Sequence, residues 1–199
     1  MIPLPTARFL PVQPTAELVF GLARTDRSCA TVQLVASRQG DGTTALSRDV
    51  AVVAAGPGGL RTLLVAVEPS ASHWPGGLMN PARLGEPDSA GLRQVADSRL
   101  FLAYLAAGEP PARWLTHLQG WRASFDLIVL DQPAMERSAA AVLLAPHVDT
   151  TLLVAAAERT ALDTLTLVRD RLLGAGGVIR GVLFNRQRQH LPGRLSGVL

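Results

Sequence analysis

The chain has 199 residues, 48% of them hydrophobic and 18% charged, with a formal net charge of +3. A disordered chain would be polar and highly charged, so this composition excludes one and leaves enough apolar residues for a single α/β domain. No apolar run reaches the roughly 18–20 residues that span a bilayer, and the longest, Ala139 to Ala157, is cut by Pro146, His147 and Asp149.

Residues 1–14 carry Pro3, Pro5, Pro11 and Pro14 and read as an extended arm rather than a signal peptide. Thr15 to Arg24 reads as a short helix with Thr15 as its N-cap and Glu17 in the first turn. Thr31 to Ala36 is a first strand, and Ser37 to Thr44 a polar loop with two glycines. Thr44 to Ala55 is a helix that stops at Gly56. Leu63 to Val67 is a second strand closed by Pro69, and Ser70 to Asp88 a loop. Leu92 to Ala107 and Ala112 to Ala123 read as helices. Asp126 to Leu130 is a third strand, Ser138 to Leu144 a short helix and Thr150 to Ala155 a fourth strand. Thr160 to Leu173 reads as a helix closed by glycines, and Gly181 to Phe184 as a fifth strand. Continuous apolar strands alternating with helices predict a single-domain α/β fold, a mostly parallel sheet covered on both faces. The expected divisions are the arm at 1–14, one domain at 15–188 and a basic tail at 189–199.

All 19 basic residues are arginine; the chain has no lysine. Any mechanism that needs a lysine ammonium from this chain is therefore excluded. The one cysteine, Cys29, has no internal disulfide partner, and a cytosolic location follows most simply. The four histidines show no metal-ligand spacing, and no GxSxG nucleophile motif is present.

The loop between the first strand and the following helix is where a phosphate-binding loop belongs. Glycines let backbone N–H groups curl around an anion, and the helix N-terminus adds partial positive charge. A working loop reads GxxxxGK[ST]. Here Gly40, Asp41 and Gly42 are followed by Thr43 at the lysine position and Thr44 at the hydroxyl position that would hold Mg²⁺. A plain tight turn before a Thr-capped helix reads the same residues equally well. Arg38 in the loop and Arg48 one turn along the helix are the nearest candidate replacement cations, and both also read as surface arginines.

Read together, the segments resemble a known family. Ala36 to Thr44 resembles the Walker A loop of the bacterial tyrosine kinases that control polysaccharide export. Phe125 to Pro133 resembles their Walker B strand, with Asp131 at the aspartate position. Leu144 to Asp149 matches an apolar-Ala-Pro-x-x-Asp stretch, and Gly181 to Arg186 their final strand, whose asparagine, here Asn185, contacts adenine in the family. The resemblance covers roughly Thr15 to Arg188, and the same superfamily includes the ParA/MinD-type partition and division-site ATPases.

The resemblance implies a P-loop NTPase-like fold, a nucleotide site at Gly40, Asp41, Gly42, Thr43, Thr44, Asp131 and Asn185, and Mg²⁺ positions at Thr44 and Asp131. The departures imply that this site is vestigial. Thr43 replaces the lysine. Ala66 replaces the first aspartate of the family's second acidic strand, with Glu68 at the second. Both arginines of the first helix are absent, standing as Phe20 and Ala23, and Tyr104 is the only tyrosine. Loss of preorganised charge costs roughly 10²–10³ in rate per group. The expectation is a pseudo-kinase or pseudo-ATPase with no catalytic residues and no resident cofactor, binding ATP or ADP weakly if at all. It would act as a scaffold or regulator of exopolysaccharide synthesis or export. The implied partners are a protein of that complex and, as homodimer or heterodimer, a second copy or an active paralogue. A cytoplasmic place, with recruitment to the inner membrane by a partner, follows. The alternatives are a positioning ATPase whose lysine comes from a partner chain, and a DNA-associated accessory protein that uses the basic tail (Arg180, Arg186, Arg188, His190, Arg194). No aromatic interleaves the run from Arg186 to Arg194, which disfavours nucleic acid.

Overall fold

A computed structural model describes residues 12–23, 28–68, 80–157 and 159–186. Seven strands form one sheet: β1 (Ala30–Ala36), β2 (Thr62–Val67), β3 (Arg93–Gln94), β4 (Leu100–Leu105), β5 (Leu127–Asp131), β6 (Thr150–Ala156) and β7 (Ile179–Asn185). Their order across the sheet is β3-β4-β2-β5-β1-β6-β7. Every neighbouring pair is parallel except β3 with β4. The helices are α1 (Val12–Ala23), α2 (Thr43–Ala55), α3 (Pro111–Arg122), α4 (Ala140–Leu144) and α5 (Leu162–Gly174).

The strands β1, β2, β5 and β6 are buried at every residue. That is why they read as unbroken apolar runs: helices cover both faces of a parallel sheet. On one face, Val32, Leu34, Leu64 and Val129 pack under α1 and α2 through Val19, Leu22, Leu46 and Val50. On the other, Leu63, Val65, Ile128 and Leu130 meet Trp114, Leu118 and Trp121, which recur at helical spacing along α3. Beyond them, Val35 and Leu153 pack against Ala141 of α4 and Val168 and Leu172 of α5.

Two sequence expectations need correction. Leu92 to Ala107 is not a helix. It holds the two-residue β3, a turn through Ala96 at φ 48°, and β4. Leu100 and Leu102 are buried against the α2 face, while Ala103 and Leu105 are buried against the α3 face. A segment buried on both sides reads alike as helix or strand from local periodicity. Its pairing with β2, Thr62 to Leu100 through Val67 to Leu105, decides for strand. The sheet therefore has two more strands than the five expected. The first helix begins at Val12, before the expected start at Thr15, so Thr15 is not its N-cap but a buried residue within it. Pro14 falls in the first turn, where its missing N–H breaks no helical bond.

A short 3-10 turn, Pro81–Arg83, lies in the segment read as loop. The rest of the N-terminal arm, residues 69–79 and the basic tail fall outside the described residues.

Candidate functional site

β1 and its neighbour β5 form a switch point: from β1 the chain crosses to β2 on one side, and from β5 it crosses to β6 on the other. Such a switch point opens a crevice at the carboxyl ends of the strands, the usual ligand position in open α/β sheets. Residues 37–42, Asp131 and Asn185 all lie at those ends. The structure therefore brings together the residues that the sequence scattered over nearly 150 positions.

The loop turns on two glycines. Gly40 has φ 87° and Gly42 φ 102°. Gly42 is the N-cap of α2, with no side-chain cap. A Cβ on Gly42 would stand 1.9 Å from Nδ2 of Asn185. That closeness has a cause: Asn185 Nδ2 donates to the carbonyl oxygen of Asp41 at 2.8 Å, and its Oδ1 accepts from the Arg186 N–H at 2.9 Å. Here Asn185 clamps the loop, and both ends of its amide are engaged by the chain itself.

The loop's amides are engaged too. Asp41 is 1% exposed. Its Oδ2 accepts from the Arg38 N–H at 3.3 Å, from Ser37 Oγ at 3.4 Å and from Thr160 Oγ1 at 3.5 Å. The Gln39 N–H donates to Oε1 of Glu136 at 2.7 Å. Two backbone donors of the loop are thus satisfied by the chain's own carboxylates, at a place where the fold would present donors to an anion.

Thr43 is buried and Thr44 exposed at the start of α2. Ser47, one turn on, donates from Oγ to Oδ1 of Asp131 at 3.4 Å. Asp131 is 7% exposed. Burial pushes its carboxyl up to about 7, against the hydroxyl bonds from Thr44 and Ser47 that pull it down. Ala66 is its neighbour in register on β2, so the position beside it offers a methyl group. Of the two candidate arginines, Arg48 is buried in an ion pair with Asp49 at 2.9 Å, and Arg38 is exposed in the loop.

Ser47, Glu136 and Thr160 escaped the sequence reading. Ser47 was findable, because three residues after Thr44 on a helix is the same face. Glu136 and Thr160 reach the loop only through the fold. Elsewhere, burial pushes the Cys29 thiol up to about 11, with Arg122 pulling the other way, so it is no nucleophile at neutral pH. Among the described residues no three metal-ligating side chains cluster, and no helix is long and apolar enough to cross a membrane.

The shifted carboxyl makes stability depend on pH. Its folded value, about 7, lies above the ordinary 3.8. The folded state then holds more protons between those values, so the contribution is present in full below pH 3.8 and is lost as pH rises through 7. The span converts to at most about 4 kcal/mol. Asp131→Asn removes this slope. Urea midpoints at pH 5 and pH 8 are expected to converge for the variant and to fall with pH for the parent chain. Parallel falls in both would show that Asp131 is not the group responsible.

No protein-family model matches the sequence, and no curated protein matches it. Solved structures do. The kinase domain of the Escherichia coli tyrosine kinase ETK is 18% identical, over 97% of this chain and 86% of that one, with a TM-score of 0.70. The VpsO kinase domain is 20% identical, over 89% and 96%, at 0.63. The cell-division ATPase MinD of Pyrococcus furiosus is 19% identical, over 84% and 78%, at 0.62. At these identities the likeness establishes a shared fold.

Proposed function

We propose that this P-loop NTPase-like chain, with the fold of the tyrosine-kinase domains and of MinD, is a non-catalytic scaffold or regulator of bacterial exopolysaccharide synthesis or export. One observation carries the reading. In a chain with no lysine, the loop's Arg38 and Gln39 N–H groups donate to Asp41 and Glu136. Phosphoryl transfer in this fold works by electrostatic stabilisation and positioning. This site offers a triphosphate neutral hydroxyls and carboxylates, with no fixed cation within it.

Nucleotide is a component of related structures: the MinD of Pyrococcus horikoshii is complexed with Mg-ADP, and McdA of Cyanothece with ATP. In this chain Thr44 and Asp131 are the residues that would face a Mg²⁺ ion, which would supply charge for the phosphates. The hydroxyl and carboxylate fit such an ion. The loop without lysine does not complete the phosphate site. ATP or ADP would bind weakly. The protein would work through contacts, with a subunit of the polysaccharide complex, a second copy or an active paralogue, and from the cytoplasmic side of the inner membrane.

The test is complementation. In a bacterium lacking the gene, the parent chain and the folded variants Thr44→Ala and Asp131→Asn should restore exopolysaccharide equally. Failure of both variants at normal protein level would mean that the site's chemistry is needed. The second reading is a positioning ATPase completed by a partner's cation, favoured by the retained Thr44–Ser47–Asp131 contacts. It predicts that failure, together with Mg²⁺-dependent ATP hydrolysis on mixing with the partner.

A further inference from the structure

A cavity of about 330 Å³ lies at the amino ends of β1, β6 and β7, the opposite end of the sheet from the loop at 37–42. Small-molecule sites run from roughly 300 to 1,000 Å³, so this one has room for a small ligand. Its apolar wall is Leu22 of α1, Ala30 and Val32 of β1, and Val178 and Ile179 at the entry to β7.

The polar residues on the wall differ in what they already bond. Two are engaged by the chain itself. Asp149 Oδ2 accepts from the Thr31 N–H at 2.7 Å and lies 4.0 Å from Nη2 of Arg122. Thr31 Oγ1 accepts from Arg122 Nε at 3.2 Å. Thr150 and Arg180 stand apart from that group. Thr150 is 6% exposed, and its hydroxyl has no hydrogen-bond partner. It is in register with Val32, which packs on the α1 and α2 side of the sheet. Side chains in register on neighbouring parallel strands share a face, so Thr150 projects toward α1. Arg180 reaches the same side, because a Cβ on Gly21 of α1 would stand 3.4 Å from its Nη2. Among the described residues no carboxylate lies within ion-pair distance of Arg180. A buried hydroxyl without a partner is costly, and a guanidinium presents paired donors that match a carboxylate.

We infer that this cavity binds a small monocarboxylate with an apolar body. Arg180 and the Thr150 hydroxyl would hold the carboxylate, and Leu22, Ala30, Val32 and Ile179 would cover the hydrocarbon. The negative charge of Asp149 on the same wall favours one charge on the ligand over the two of a phosphate monoester. The site is at the far end of the sheet from the nucleotide crevice, so the inference stands independently of the proposed function.

The test is calorimetric titration of octanoate into the full chain. Octanoate should bind at one site with a dissociation constant below about 1 mM. Octylammonium and octyl phosphate should each bind at least about tenfold more weakly. Arg180→Gln, at an exposed position, should weaken octanoate binding by about tenfold or more. Thr150→Val keeps the shape and removes the hydroxyl. It should weaken octanoate binding by about threefold to tenfold and raise the urea midpoint of the ligand-free chain, since an unpaired polar group has gone. No binding of octanoate, equal binding of octylammonium, or an affinity that neither folded variant changes would overturn the inference. Tighter binding of octyl phosphate would overturn the choice of head group. A lowered urea midpoint for Thr150→Val would also count against it, by showing that the hydroxyl is already bonded.

Discussion

Thr43→Lys should tighten ATP binding by at least tenfold and as much as a hundredfold. The reasoning starts from the loop. Its fold is retained: Gly40 and Gly42 hold left-handed backbone, α2 begins directly after it, and the loop stands at the switch point of the sheet. What it lacks is a cation. A hydrogen bond to a charged group contributes about 1.5–3 kcal/mol, which is roughly one to two orders of magnitude in a dissociation constant. Calorimetric titration of ATP with Mg²⁺ into the parent and variant chains reads the effect. An unchanged affinity would mean that the loop's contacts with Asp41 and Glu136, and not the absent lysine, keep nucleotide out.

Gly42→Ala should destabilise the chain through both its backbone and the loop clamp. Its φ of 102° is one that a residue with a Cβ rarely adopts, and that Cβ would meet Asn185 Nδ2 at 1.9 Å. Backbone strain and the displaced clamp together are expected to cost about 2–4 kcal/mol. Gly40→Ala is the control. Its φ is 87°, but nothing lies within 4 Å of the added atom, so only the backbone penalty of about 1–2 kcal/mol applies. Asn185→Ala alone loses the bond to the Asp41 carbonyl, about 1 kcal/mol. The double variant Gly42→Ala/Asn185→Ala should be less unstable than the sum of the two, because the second change removes the obstacle to the first. Chemical denaturation of the four chains closes this cycle. Additive losses would show that Asn185 does not clamp the loop.

The parts of the molecule legible in the sequence were those that local chemistry dictates. The runs at Thr31, Leu63, Asp126 and Thr150 are strands because helices cover both faces, and their unbroken apolar character says so. The loop at 37–44 announced itself by its glycines and position. The segment 92–107 did not. Leu100 to Leu105 is buried on both faces, and only its pairing with β2, over thirty residues away, distinguishes strand from helix. The site follows the same division. Thr44 and Asp131 could be matched to motif positions, whereas the Asn185–Asp41 bond joins residues 144 apart and the Glu136–Gln39 bond residues 97 apart. Asn185 shows the difference best. The motif points Asn185 at adenine, and only the fold shows that its amide also bonds the loop at Asp41.

These contacts give the account its physical content. A frame that normally concentrates positive charge on a triphosphate here faces its own carboxylates, and burial pushes the carboxyl of Asp131 up to about 7. The most direct test is phosphate release from ATP by the purified full chain with Mg²⁺, measured beside Asp131→Asn. The account predicts release at the rate of buffer alone from both proteins. Sustained turnover by the parent chain that Asp131→Asn abolishes would contradict it, because this chain would then catalyse phosphoryl transfer without a lysine.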